Sequence, residues 1–383
     1  MNMMKSLKRI STLAGKEWIQ IRRDLRSLLI SIFIPAAMIV LFGYALNMDV
    51  KNVSIGVFDQ DRSSFSRNFI ERFTRTEYLS INHYIQRYAE IDGLINSEKI
   101  SMALIIPVNF EKDHKSGKSV AVQLLTDGSD STSATIATGY VKAITYQFNT
   151  DTSISALRDI GISNLPVPID IRTRIWYNPT LESKNFIVPG LIVNLLTVIS
   201  ALIASLTMSR EWERGTMESL ITTPIRKHEI VFGKLIPYIF IGLFDVILCI
   251  FVGYFIFDVP LKGSYFLFCS LSILFLIGTT LMGLFISSAT RVQVLSIQIA
   301  MWVTFLPSFI LSGWIFPIKN MPPILQGITY IIPARYLITI INGIALKGVG
   351  MSLLWTQVLF LLGFVLLVFI LSIKKVTVSL PEK

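Results

Sequence analysis

Apolar positions in this chain follow two patterns. In one they run almost unbroken for about 20 residues or more, the length that crosses a hydrocarbon core of about 30 Å. In the other they alternate, or recur every three to four positions, among polar residues. Unbroken runs occupy residues 27–46, 186–208, 231–257, 264–289, 292–312 and 353–373, which predicts six transmembrane helices. The first run is not read as a secretory signal, because a long polar segment precedes it and no small-x-small cleavage site follows Leu46.

Residues 47–184, between the first two runs, carry the second pattern. Residues 52–58 alternate as a strand, and Asp59 to Ser64 supply turn and helix N-cap chemistry. Phe65, Phe69, Ile70 and Phe73 mark one face of the next helix. Further strands read over 79–85, 101–106, 119–126 and 169–176, helices over 89–98, 109–116 and 131–149, and a linker over 161–168. This alternation predicts a small α/β domain with a mixed sheet. Ahead of the first run, Leu7, Ile10, Ala14, Trp18 and Ile21 recur at helical spacing among basic residues. That suits a helix lying in the headgroup plane; the other reading is a cytoplasmic extension of the first span.

Composition supports a membrane protein: 52% of residues are hydrophobic and 16% charged, against about 25% charged in soluble domains. A net charge of +10 could suggest nucleic acid, but the placement of the cations argues for the bilayer instead. Lys5, Lys8, Arg9, Lys16, Arg22, Arg23 and Arg26 precede the first run; Arg210, Arg214, Arg226 and Lys227 follow the second. Arg291 follows the fourth, and Lys374 and Lys375 the last. The positive-inside rule then sets both termini in the cytoplasm and the insert outside it. The expected division is a cytoplasmic interfacial helix at 1–26, a span at 27–46, an extracytoplasmic α/β domain at 47–184, five spans within 185–375 and a cytoplasmic tail at 376–383.

Little in the sequence points to catalysis or metal binding. Cys249 and Cys269, the two cysteines, both lie in apolar runs, and His83, His114 and His228 are scattered. Gly117-Lys118-Ser119 matches the end of a phosphate-binding loop, but Lys112 stands where its first glycine is needed, and a strand follows instead of a helix. The insert reads as a binding or docking module or as a structural cap.

The informative stretch is the loop after the second run, residues 209–224. Trp212, Met217, Leu220 and Ile221 share one side of a helical wheel, while Glu211, Arg214 and Glu218 face the other at spacings that permit ion pairs. Pro224 ends the helix. Such a helix could pass a partner's motion into the spans or simply cover the bilayer edge. The run Arg210-Glu211-Trp212-Glu213-Arg214-Gly215-Thr216-Met217-Glu218, followed by Leu220, Thr223-Pro224 and Gly233-Lys234, resembles the permease subunits of ABC-2 type exporters. Trp176-Tyr177-Asn178-Pro179, Pro189-Gly190 and Pro333-Ala334-Arg335-Tyr336 resemble the bacterial drug-export subgroup. The likeness extends over the whole architecture.

The resemblance implies a polytopic α-helical membrane protein of the type V-like exporter fold, with an inserted extracytoplasmic α/β domain. It implies an inner-membrane dimer, homomeric or heteromeric, joined to two cytoplasmic ATP-binding cassette subunits, with a coupling helix over Glu211 to Thr223 seated on them. The permease itself would be no enzyme and hold no cofactor; ATP and Mg belong to the partner subunit. A periplasmic adaptor protein is a further candidate partner. The cargo would be an amphipathic compound, a drug or xenobiotic first; lipid and polysaccharide exporters share the plan. A polytopic membrane transferase would require clustered Asp, Glu or His at a membrane face, and none is seen. A sensor would need a cytoplasmic output domain.

Asp245, Asn194 and Gln298 are polar residues inside the predicted spans. Asp245 reads either as structurally paired or as lining a transport path, and Asn194 and Gln298 as interhelical hydrogen-bond formers. Over 314–347, Pro317, Pro322, Pro323 and Pro333 break an apolar sequence into pieces too short to span, which predicts half-helices in the outer leaflet.

Overall fold

The computed structural model describes residues 2–46, 52–159, 176–178 and 182–376. The chain begins with helices α1 (Asn2–Arg23) and α2 (Leu25–Ala45). Next come β1 (Val53–Asp59), α3 (Ser64–Thr74), β2 (Leu79–Tyr84), α4 (Glu90–Asn96), β3 (Met102–Ile106), α5 (Phe110–Lys115), β4 (Gln123–Thr126) and α6 (Ser131–Asp159). The helical remainder comprises α7 (Lys184–Glu213), α8 (Thr216–Ile221), α9 (Lys227–Phe255), α10 (Tyr265–Thr290), α11 (Gln293–Leu311), α12 (Pro323–Ile328), α13 (Pro333–Ala345) and α14 (Met351–Lys375). These elements form two compact units: Met48–Thr173, and Met1–Asn47 together with Arg174–Lys383.

The first of these units is built on a four-stranded mixed sheet in the order β2-β1-β3-β4. β1 pairs in parallel with β2 and β3, and β4 runs antiparallel to β3. All five residues of β3 are buried, as a strand covered on both faces requires. Phe69, Phe73, Phe110 and Phe148 pack on one face, and Ile85, Ile91 and Ile100 on the other. Asp59 ends β1 and starts α3: its carboxylate accepts the Asp61 and Arg62 N–H groups and the Ser66 hydroxyl. The strand expected over 119–126 is paired only at Gln123–Thr126, and the helix expected over 131–149 continues to Asp159. The linker read at 161–168 and all but the last residue of the strand read at 169–176 lie outside the described residues.

In the helical unit, α7, α9, α10, α11 and α14 are long and apolar enough to cross a bilayer. Among the described residues that makes five spans, or six if a bent pair of pieces is counted as one, and α2 adds the shorter apolar stretch Ile32–Ala45. Residues Pro323–Ile331 and Pro333–Ala345 form a pair of pieces bent by 85°, the break that the prolines predict. The buried helix α7 packs against α2, α9, α10, α11 and α13. Its neighbours approach closely where residues are small: a Cβ on Gly283 of α10 would lie 2.3 Å from the Ala201 carbonyl oxygen. The Ser200 hydroxyl donates to Thr279 Oγ1 at 2.7 Å, and Ser287 Oγ accepts the N–H groups of Met208 and Ser209. Such contacts hold helices together where the hydrophobic effect does not. Trp314, the largest fully buried side chain, lies on Gly190 and donates its indole N–H to the Ile187 carbonyl at 3.2 Å.

Candidate functional site

The segment 209–224 is not one amphipathic helix. α7 continues through the second apolar run as far as Glu213, so its last turn is one continuous helix with the span. The chain breaks at Gly215, whose φ of +68° lies in the left-handed region, and restarts as the single-turn-and-a-half α8. Glycine there ends one helix and begins another at low cost, which the helical-wheel pattern could not reveal.

This break redirects Glu211. The wheel put it on the polar side with Arg214 and Glu218, but those two are exposed and form no ion pair among the described residues. Glu211 instead is 3% exposed. Its Oε1 accepts a hydrogen bond from Lys16 of α1 at 2.8 Å and lies 3.5 Å from Lys234 Nζ of α9. Its other oxygen accepts from the Thr216 hydroxyl, which fastens the first residue of α8 to the end of α7. Lys234, 1% exposed, also donates to Glu17 Oε1 at 2.5 Å, and Glu17 is itself buried. Two lysines and two carboxylates thus alternate across α1, α7 and α9 with no net charge, the arrangement that makes buried ions tolerable. Arg210 pairs with Asp24 at 3.2 Å, and Arg9 with Glu229 at 3.5 Å, so α1 is tied to the bundle along its length.

The same junction has an apolar side. Met217 of α8 is fully buried against Leu13, Met208, Ile230 and Val231, with Trp212, Leu220 and Ile221 packed around them. Glu213 accepts the Gln293 backbone N–H at 2.7 Å and its side-chain amide, and Arg291 stacks on Trp212 at 4.5 Å. Short contacts thus connect α8 with α7, and α7 in turn with α1, α9 and the start of α11. Pro224 follows α8 on the exposed surface.

Lys16, Glu17 and Lys234 are the site residues that the wheel did not reveal. Lys234 carried a signal, being an ionisable group inside an apolar run. Glu17 did as well, as an acid in a basic helix. The face that α1 packs on the bundle is marked by Leu13, Glu17 and Ile21, whereas Leu7 and Trp18 of the predicted stripe are exposed.

The polar positions of the spans differ from expectation too. Asp245 is buried, but its Oδ1 has no partner, so structural pairing is not seen among the described residues. Asn194 is buried with its Oδ1 likewise unpartnered and makes no interhelical hydrogen bond there. Gln298 is exposed on α11, in line with the outward-facing Val294, Leu295, Met301 and Trp302. Among the described residues no cluster of His, Cys, Asp or Glu could hold a metal ion.

Residues 26–374 match the family described as ABC-2 family transporter protein. The chain is 38% identical over 363 residues to a probable multidrug ABC transporter permease, YbhS, of Escherichia coli, covering 94% of this chain and 95% of that protein. It is 29% identical over 349 residues to a second one, YbhR, covering 89% and 92%. An ABC transporter G family member of Dictyostelium discoideum is 23% identical over 96% of this chain and 50% of its own length. Together with the apolar helices, these matches establish a multi-pass membrane protein that belongs to the ABC-2 transporter family and serves as the permease subunit of an ABC transporter.

Proposed function

We propose that the protein exports an amphipathic compound, a drug or xenobiotic first, from the cytoplasm or inner leaflet, driven by ATP hydrolysis on separate cassette subunits. The observation that carries this reading is the junction of α7 and α8. A short helix with exposed Glu218, flanked by exposed Arg214 and Pro224, is joined by Met217 and the Glu211–Thr216 bond to the end of the longest span. Force applied to α8 by a cassette subunit would tilt α7 through Glu211, and α9 and α1 through Lys234 and Lys16. The relatives named as multidrug permeases support the class of cargo.

A second permease copy would cover the outward face of α11, where Gln298 stands among Leu295, Met301 and Trp302. An amide left facing lipid is costly, and across a subunit interface it finds a partner. In this reading both termini are cytoplasmic, the insert is extracytoplasmic, the membrane is the bacterial inner membrane, and ATP with Mg stays on the cassette subunits. The test is co-expression with the neighbouring genes followed by purification on this chain. A cassette subunit should co-purify, and inside-out vesicles should accumulate an amphipathic dye when ATP is added. Absence of any cassette subunit from the purified complex would sink the proposal.

A further inference from the structure

The insert contains a cavity of about 690 Å³ on the α6 side of its sheet, within the range of about 300–1,000 Å³ typical of small-molecule sites. It exists because the strand expected over 119–126 pairs with β3 only from Gln123. Upstream, Val120 and Val122 keep the two-residue alternation of Leu124 without being paired to β3, and both line the opening. The floor is apolar and aromatic: Phe69, Leu104, Phe110 and Phe148 are all buried, with Phe65 stacked on His114 and tilted against Phe148.

The rim is cationic. Lys118 and Lys142 both line it, with Thr145 and Asn149 at helical spacing from Lys142 along α6. Lys118 is 3.1 Å from Asp113, whereas Lys142 is exposed and has no carboxylate partner among the described residues. An apolar floor beneath an uncompensated ammonium group is complementary to a molecule with an apolar body and one negative charge.

We propose that this pocket binds a small amphipathic anion of the fatty-carboxylate type, its tail on the Phe69–Phe110–Phe148 floor and its carboxylate at Lys142. The pocket belongs to the insert alone, so its occupancy and ATP-driven export can be lost independently. The full chain, without cassette subunits, is placed in phosphatidylcholine nanodiscs and irradiated with a diazirine-bearing dodecanoate. Adducts are mapped by peptide mass spectrometry. Adducts are expected on peptides spanning 104–149, competed by unlabelled dodecanoate and not by dodecyltrimethylammonium. Lys142→Glu should cut their yield about tenfold, equivalent to one lost favourable charge contact. Thr145→Trp, a substitution at the mouth that leaves the core untouched, should do the same by filling the space. Adducts confined to the membrane helices would overturn the proposal. So would equal competition by the cation, or an unchanged yield in both variants.

Discussion

Lys234 offers the sharpest energetic test of the junction, because it alone approaches both buried carboxylates. The Lys234→Met substitution keeps the length and apolar stem but leaves Glu17 buried without its cation. Removing one partner of a buried pair costs about 3–5 kcal/mol, since the other charge stays desolvated. The Lys234 and Glu17 side chains are only 1% and 3% exposed, so solvent screening offers no large discount. At 1.4 kcal/mol per factor of ten, the expected loss is about two to three and a half orders of magnitude in the equilibrium docking α1 on α9. Glu17→Met should cost a similar amount. The double variant replaces both charges by apolar groups of similar size and should cost less than either single change. Unfolding of the purified protein in mixed micelles titrated with dodecyl sulfate measures all four corners of the cycle. Strict additivity of the two single losses would refute the idea that these residues act as a buried pair.

Other positions in the bundle give independent outcomes. Lys16→Ala should cost only about 0–1 kcal/mol in the same titration, because the lysine is half exposed and Glu211 keeps Lys234. Gly215→Val should lower stability by about 1–3 kcal/mol through backbone strain alone, since nothing lies within 4 Å of its Cβ position; Gly215→Asn should be much milder. Gly190→Ala should be far more damaging than Gly253→Ala, because its Cβ would fall 1.9 Å from the Trp314 ring whereas at Gly253 the nearest atom is 3.4 Å away. Thermal aggregation of detergent-purified variants ranks the two. Asp245→Asn should leave stability unchanged or raise it, since the buried carboxylate has no partner to lose; a marked drop in the same assay would mean that it has one.

The large features were legible in the sequence for physical reasons. Apolar runs of span length and prolines at 322, 323 and 333 act locally, so the long helices and the bent pair of short pieces followed directly. The continuous apolar run of β3 likewise announced a strand buried on both sides. What escaped were the relations between distant segments. A helical wheel assumes an unbroken helix, and the positive φ at Gly215 invalidates it, so Glu211 was paired with Arg214 instead of with residues 16 and 234. In α1, apolar residues lie on more than one face, Leu13 and Ile21 against protein and Leu7 and Trp18 outward, and periodicity cannot assign either face to its surroundings. Gln298 and Asn194 were both read as interhelical because hydropathy says that a residue lies in a span but not which way it faces.

The central claim is that α8 and Glu211 carry motion between cassette subunits and the spans. The most direct measurement is substrate-stimulated ATPase activity of the reconstituted complex carrying Glu211→Gln, with subunit assembly checked by co-purification. The account predicts intact assembly and basal hydrolysis with stimulation largely lost. Full stimulation in an assembled Glu211→Gln complex would contradict it.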